Sequence, residues 1–562
     1  MFNRQIFFAL RLLILFFFSL ITVHAEQIPD AELTRRQSEQ NNEAQSRARN
    51  TPDIFTNPFD GKQAEFVLPV ESNCFVIRNI QWIGVEEFSW IKSDGGLILN
   101  RCIGVKGLRQ IQEFLQRHLV DRGYITTRVI ISEQNLAGGT LKLNVLAGHI
   151  NEVRDEGVSP GWAWMILPKT TGALLNQRDL DQALENIRRL TSQQDAQFDI
   201  IPGASPGTSD LVIRHPEHKR WSGLLTLDDS GSESTGKLQV GGILSVDSLL
   251  HAYDSLTLTF NHNANLTNST VGSASSSLNW NVPIGYWSLL TGVNYSKYKQ
   301  TVAGFSGGIV YSGRSYGMEL GAGYVLYRNT NSKLSTQFKL NRKVSQSYVD
   351  DSEINVQFRD VKGYEANLAY RRFMDSSSLS VLVGIKGSLP KQSKAPGLIV
   401  GAPEWDGHYQ ITTADIGFNT SFHLASENIR YQTNLRIQHA AKLLPGFEYI
   451  SIGNRYSVRG FDGASSLSSE SGWIWRNEMS KNLPQLFQLP PLGEIYLAID
   501  TARLSGRNRI NLLGDSLSGA AIGVRGKYDR YNYEFSVGMP IQRPTGFITK
   551  TPTFTAFLSA AF

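Results

Sequence analysis

From Trp221 to Phe562, hydrophobic and polar residues alternate with a period of two. SLTLTFNH sets Leu256, Leu258 and Phe260 on one face and Ser255, Thr257 and Thr259 on the other. STQFKLN repeats this with Phe338 and Leu340, and LSVLVGIKG opposes Leu379, Val381, Val383 and Ile385 to Ser380, Gly384 and Lys386. NYEFSVGMP sets Tyr533, Phe535 and Val537 against Glu534 and Ser536, and TFTAFLSAAF alternates to a terminal Phe562. Period two is the mark of a strand with two unlike faces. Stretches of about ten such residues, parted by polar turns, identify a transmembrane barrel. At ~10 residues per strand plus connections, the span holds about sixteen antiparallel strands. A soluble β-sandwich also alternates, but an aromatic C-terminus on an exported chain favours an outer-membrane barrel, with Phe562 as its assembly signal.

Upstream the period changes. Phe75–Trp82 reads as a strand, and VKGLRQIQEFLQRHLVDRG then carries Leu108, Ile111, Leu115 and Leu119 at helical spacing, with Gly123 as its stop. YITTRVII and TLKLNVLAG close this first module as strands. The order then repeats: HINEVRDEG as a strand, WAWMILPKTTGALL and LDQALENIRRL as helices, AQFDIIPGA and SDLVIRHPE as strands. A β-α-α-β-β unit of about seventy residues occurring twice is more specific than either copy alone.

The N-terminus places the chain. Arg4 and Arg11 precede the apolar run Leu12–Thr22, and Val23-His24-Ala25 offers the small residue of a cleavage site. That run is too short for a ~30 Å hydrocarbon core, so residues 1–25 are expected to be a signal peptide. Residues 26–49 contain good helix formers and almost nothing apolar except Leu33. A helix polar all round must sit in water or in a polar cavity. Residues 50–71, with Pro52, Pro58 and Gly61, read as a linker.

Composition narrows the function classes. Charged residues are 19% and the net charge is +5 over 562 residues, with both signs interspersed, so nucleic acid is not an expected partner. The two cysteines, Cys74 and Cys102, are an even pair in an exported chain and are expected to form a disulfide; neither has histidines at metal-ligand spacing. Two matches to the serine-hydrolase pattern, Gly304–Gly308 and Gly313–Gly317, lie among strand and turn signals with no helix following, so neither is expected to be catalytic. No metal, nucleotide or dinucleotide motif appears, and no cofactor or enzyme activity is expected.

One stretch fits none of this. RYSVRGFDG, Arg455–Gly463, sets a long charged side chain and two glycines among membrane-facing strands. Together with the architecture around it, it resembles the two-partner secretion transporters, the TpsB class of outer-membrane barrels that export haemolysins and filamentous adhesins. The resemblance covers nearly all of the mature chain. It implies a plug helix at 26–49, the linker 50–71, POTRA domains at 72–147 and 148–217, and a sixteen-strand barrel at 218–562. CFVIRNIQWIG and the helix after it are similar to the first POTRA domain. The stretch carries the family's V-R-G-F/Y tetrad as Val458, Arg459, Gly460 and Phe461, which the resemblance implies lies at the tip of a loop folded back into the lumen. The tetrad's arginine is implied to pair with an inner-wall aspartate in an F/G-x-D-x-G pattern. Asp500 in LAIDTAR is the best match, although Ala498 and Ala502 depart from that pattern.

The expected function is capture of an unfolded exoprotein in the periplasm and its secretion across the outer membrane. The client is expected to be a large TpsA-like haemolysin, adhesin or contact-dependent toxin. Exposed POTRA strand edges, with Gln197, Phe198, Asp199, Ile200 and Ile201 as the candidate, would receive the client as an added strand. The polar helix would plug the lumen at rest. The transporter is expected to be monomeric, embedded in outer-membrane lipids and assembled with the outer-membrane machinery and periplasmic chaperones. The rival reading is an outer-membrane protein insertase, which shares POTRA domains, barrel and tetrad but usually carries more modules.

Overall fold

The computed structural model describes residues 53–55, 66–265, 271–303, 308–390, 392–394, 408–483 and 493–562. The expected signal peptide and plug helix lie outside the described residues, as does Gly304–Gly307 of the first hydrolase-like match. The second match falls inside the barrel strand Gly308–Arg328, where no strand-to-helix turn exists.

In the first module the expected strand Phe75–Trp82 divides. β1 (Phe75–Val76) pairs with β3 (Cys102–Ile103), while β2 (Asn79–Ile83) joins a separate sheet with β4 (Arg128–Ile130) and β5 (Thr140–Leu146). The order is β2-β5-β4, with β2 and β5 parallel. Helix α1 (Val105–Asp121) lays Ile111, Leu115 and Leu119 on Leu141, Leu143 and Val145. It stops before Gly123, whose φ of +95° is left-handed backbone that suits glycine.

The second module has the sheet order β6-β8-β7, from β6 (His149–Glu156), β7 (Gln197–Pro202) and β8 (Thr208–Arg214). The expected helix WAWMILPKTTGALL shrinks to α2 (Ala163–Ile166). Pro168 disfavours helical backbone at the residue before it, and Leu167 is extended, with φ −82° and ψ 124°. Helix α3 (Gln177–Arg188) begins at Asn176, whose side chain accepts from the Arg178 amide. Leu180, Ala183 and Ile187 form the core with Leu211 and Ile213.

The rest is a closed sixteen-strand antiparallel barrel, from Trp221–Asp228 to Thr553–Ala561, and these two strands pair to close it. The short turn at 285–286 and Arg328, at the end of its strand, meet the second module, so that end is periplasmic. The segment from Ala441 onward does not arch outward but folds back into the lumen as a short hairpin, Ile450–Ile452 against Leu467–Ser469.

Candidate functional site

The infolded segment carries its own apolar core. Ile450, Ile452, Val458, Phe461 and Leu467 pack on Ile474, Ala502, Leu504, Leu517 and Phe547. A tight turn precedes the tetrad: the Asn454 side chain accepts from the amides of Tyr456 and Ser457 at 3.0 and 3.1 Å. The chain then reverses at Gly460, where φ is +98° and a Cβ would lie 2.4 Å from the Met539 carbonyl oxygen. Only glycine fits there. The wall yields too, since a Cβ at Gly519 would lie 2.1 Å from the Arg459 carbonyl oxygen, and one at Gly538 2.8 Å from Gly460 Cα.

This approach brings Arg459 onto Asp500. Arg459 Nε donates to Asp500 Oδ2 at 2.7 Å, Nη2 to Oδ1 at 2.8 Å, and the Arg459 amide to Oδ2 at 2.9 Å. The two side-chain bonds form a bidentate fork, which fixes distance and orientation together. Nη2 also donates to the Asn477 carbonyl at 3.1 Å, and Nη1 bonds Glu478. Glu478 is shared with Arg525, which bonds Glu494 in turn. Burial lowers the pKa of the Arg459 guanidinium, but the bonds to Asp500 and the charge of Glu478 raise it above its ordinary value, and it stays charged. Ala498 and Ala502, the departures from the family pattern, are buried on the same strand as Asp500.

Phe461 stands edge-on to Phe547, ring centroids 5.6 Å apart, and is buried like Val458. Three more attachments hold the segment. Arg455 donates to Asp229 at 2.9 Å; Asp462 accepts from the Thr549 hydroxyl at 2.9 Å and from the Lys550 amide at 3.2 Å; Glu448 receives Lys343 and Lys386 at 2.8 and 2.6 Å. Sequence reasoning missed Glu448, Glu478 and the wall glycines. The alternation already put Lys386 on a polar face, but nothing local names a partner 62 residues away.

Outside the lumen, Cys74 and Cys102 are bonded. Nearby, both Glu71 oxygens accept from the start of α1, from the amides of Gly104, Lys106 and Gly107 at 3.0, 2.9 and 2.8 Å. Burial alone pushes the Glu71 carboxyl up, yet these donors hold its pKa below the ordinary value. β7, which contains Gln197–Ile201, is an edge strand, since β8 covers one side only. Phe562 exchanges backbone bonds with Gly223 at 2.8 and 3.0 Å, and its ring meets Trp221 with centroids 6.3 Å apart.

Residues 53–55 are clasped at the periplasmic rim. Arg328 bonds the Ile54 carbonyl, donates to Gln182 at 2.7 Å and Glu185 at 2.9 Å on α3, and lies over the Phe55 ring. Asp53 takes Lys333 at 3.1 Å and also Arg371. Burial raises the Asp53 pKa, but those two cations bring it below the ordinary value. One arginine thus ties together the linker, the second module and the barrel.

This architecture has known counterparts. Residues 207–526 match the family described as haemolysin secretion/activation protein ShlB/FhaC/HecB. Residues 75–148 match the ShlB-type POTRA domain and 149–202 a POTRA domain. Outer membrane transporter CdiB-2 of Burkholderia pseudomallei (strain 1026b) is 29% identical over 575 residues, covering 96% of this chain and 97% of its own. Hemolysin transporter protein ShlB of Serratia marcescens is 26% identical over 439 residues, 76% of each chain. The solved structure of CdiB from Acinetobacter baumannii superposes with a TM-score of 0.81 at 26% identity, over 96% of this chain and 100% of that one.

Proposed function

We infer function from one premise: the chain belongs to the haemolysin secretion/activation protein family ShlB/FhaC/HecB. It is a two-partner secretion transporter of the outer membrane, with its POTRA domains in the periplasm, and its partner is a secreted TpsA-class exoprotein. Membership in this family favours secretion over outer-membrane protein insertion. The client is a large haemolysin, adhesin or contact-dependent toxin. During biogenesis the chain is handled by periplasmic chaperones and the outer-membrane assembly machinery, and it works as a monomer in outer-membrane lipids.

The observation that carries the mechanism is the Arg459–Asp500 fork inside a closed barrel. It supports a role for the tetrad as a loop anchor, which keeps the infolded segment against one wall and leaves the rest of the lumen for the client. That remaining space includes a cavity of about 630 Å³ whose lining carries the charged side chains Lys339, Lys343, Glu365, Lys386 and Arg436 among apolar ones. An extended chain with its own unpaired backbone groups passes through such a lining without burying them in hydrocarbon.

Client capture starts at β7, whose free edge offers backbone donors and acceptors. The polar segment 26–49, which lies outside the described residues, has the plug role in this reading until then. The periplasm supplies no ATP and the sequence has no nucleotide motif, so folding of the client outside gives direction. Photo-crosslinkers at Ile201 on β7 and at the exposed Glu152 on β6, the opposite edge of the sheet, with the client's N-terminal fragment, test the capture edge. Crosslinks from Ile201 alone support it. Crosslinks from neither site, in cells that export the fragment, reject it.

A further inference from the structure

The second POTRA domain exposes an apolar face that the described residues leave largely uncovered. Trp162 and Trp164, stacked with centroids 6.2 Å apart, are 50% and 57% exposed. Trp162 stands edge-on to His251 at 5.5 Å, in the barrel turn whose Leu249 and Leu250 are 60% and 54% exposed. Val158, four residues before Trp162, is 65% exposed. Neither Gly157–Pro168 nor Ser248–Tyr253 contains a single carboxylate. A continuous exposed patch of this kind marks an interaction surface.

Its position says what it meets. The register pairs Leu256 with Trp280 and Leu258 with Leu278, so these four share the apolar face of the barrel wall, while Thr257 and Ser277 point the other way. That apolar face is the lipid-facing one. Trp280 and Val282, at its periplasmic end, pack against Met165, Ile166 and Leu167 of the second POTRA domain. The domain therefore reaches outward under the lipid-facing rim, while its α3 stays at the lumen mouth against Arg328 and Lys333. Its attitude is fixed: the Gly285 amide donates to the Met165 carbonyl at 2.7 Å, Asn186 to the Gly285 carbonyl at 2.8 Å, and Arg189 to the Tyr253 carbonyl at 2.6 Å.

We propose that Trp162, Trp164, Leu249 and Leu250 dock on the phospholipid surface of the periplasmic leaflet, holding the second POTRA domain against the membrane. Continuity with the barrel's lipid-facing wall selects a lipid surface over a protein. Tryptophan has the amphipathic ring that settles at headgroup depth. The aromatic rim of the barrel at Trp221, Trp287 and Phe562 continues the same belt. Docking would keep the client-capturing domain beside the pore mouth while the client pulls on it.

The test uses the full chain in vesicles of phosphatidylethanolamine and phosphatidylglycerol. Its two native cysteines are bonded to each other, so W164C or L249C supplies one free thiol for an environment-sensitive fluorophore. V105C, at an exposed position at the start of α1, is the control. The proposal expects blue-shifted emission at both test sites, several-fold stronger quenching by doxyl-labelled lipid than at the control, and protection from aqueous iodide. Control-like iodide quenching at both sites would overturn it, and so would shielding from iodide and doxyl lipid alike. Barrel assembly of each variant is checked by heat-dependent electrophoretic mobility.

Discussion

The carboxylate of Asp500 receives both the guanidinium and the backbone amide of Arg459, so one wall residue fixes a side chain and the turn that carries it. Asp500 is fully buried, and a second cation, Arg476, stands farther off at 3.8 Å. The contact is therefore a fastening with a definite register, unlike an exposed ion pair free to slide.

Asp500→Asn keeps the size of the side chain but removes its charge and one acceptor. The turn should loosen while the barrel stays intact. Hydrogen exchange over residues 455–463 should accelerate about tenfold or more, the equivalent of at least ~1.4 kcal/mol. Unchanged exchange would mean that the apolar core of the loop, not the fork, holds it.

Glu448 fastens the other end of the loop. Glu448→Gln leaves Lys343 and Lys386 converging on a neutral amide, so the two lysines repel each other without a counter-charge. Exchange should rise over residues 446–452 and much less at 459–463, because Arg459 remains held. An equal rise at both ends would show that the loop opens as one unit.

Much of this was legible in the sequence, and the limits are instructive. The period of two exposed the barrel because lipid and lumen enforce opposite chemistries on alternate residues. Arg459 and Asp500 were found only through a motif, since 41 residues and a fold lie between them. The network of Glu478, Arg525 and Glu494 was invisible, because its members sit singly on different strands among ordinary polar positions. The shortened α2 was readable from Pro168, but the apolar run before it resembled a longer helix.

The clasp on residues 53–55 carries a prediction about the resting channel. Arg328→Ala frees the Ile54 carbonyl, leaves the Phe55 ring its contact with Phe373, and takes one of the two cations away from Glu185, leaving Lys333. If the segment restrains a plug just upstream, planar-bilayer recordings should show more frequent open-channel current than in the native chain. Deleting residues 29–48 should raise conductance further. Native-like current in both variants would remove the plug from the account.

Glu71 gives the first POTRA domain a pH dependence of known sign. Its folded pKa lies below the ordinary carboxylate value, so its contribution is fully present above about pH 4.3 and fades as pH falls through the lowered value. Glu71→Gln should expose the amides of residues 104–107 to faster exchange at pH 7. The difference from the native chain should shrink once the native carboxyl is protonated. A difference that persists in acid would mean that the glutamine deforms the turn by itself.

The central claim is that the Arg459–Asp500 anchor serves export. The most direct measurement is release of the client's N-terminal fragment into the medium by cells carrying the native chain or Arg459→Ala, with barrel insertion checked in both. The account predicts release with the native chain and a sharp loss with the variant at equal insertion, the fragment accumulating in the periplasm. Release at the native level from an inserted Arg459→Ala barrel would contradict it.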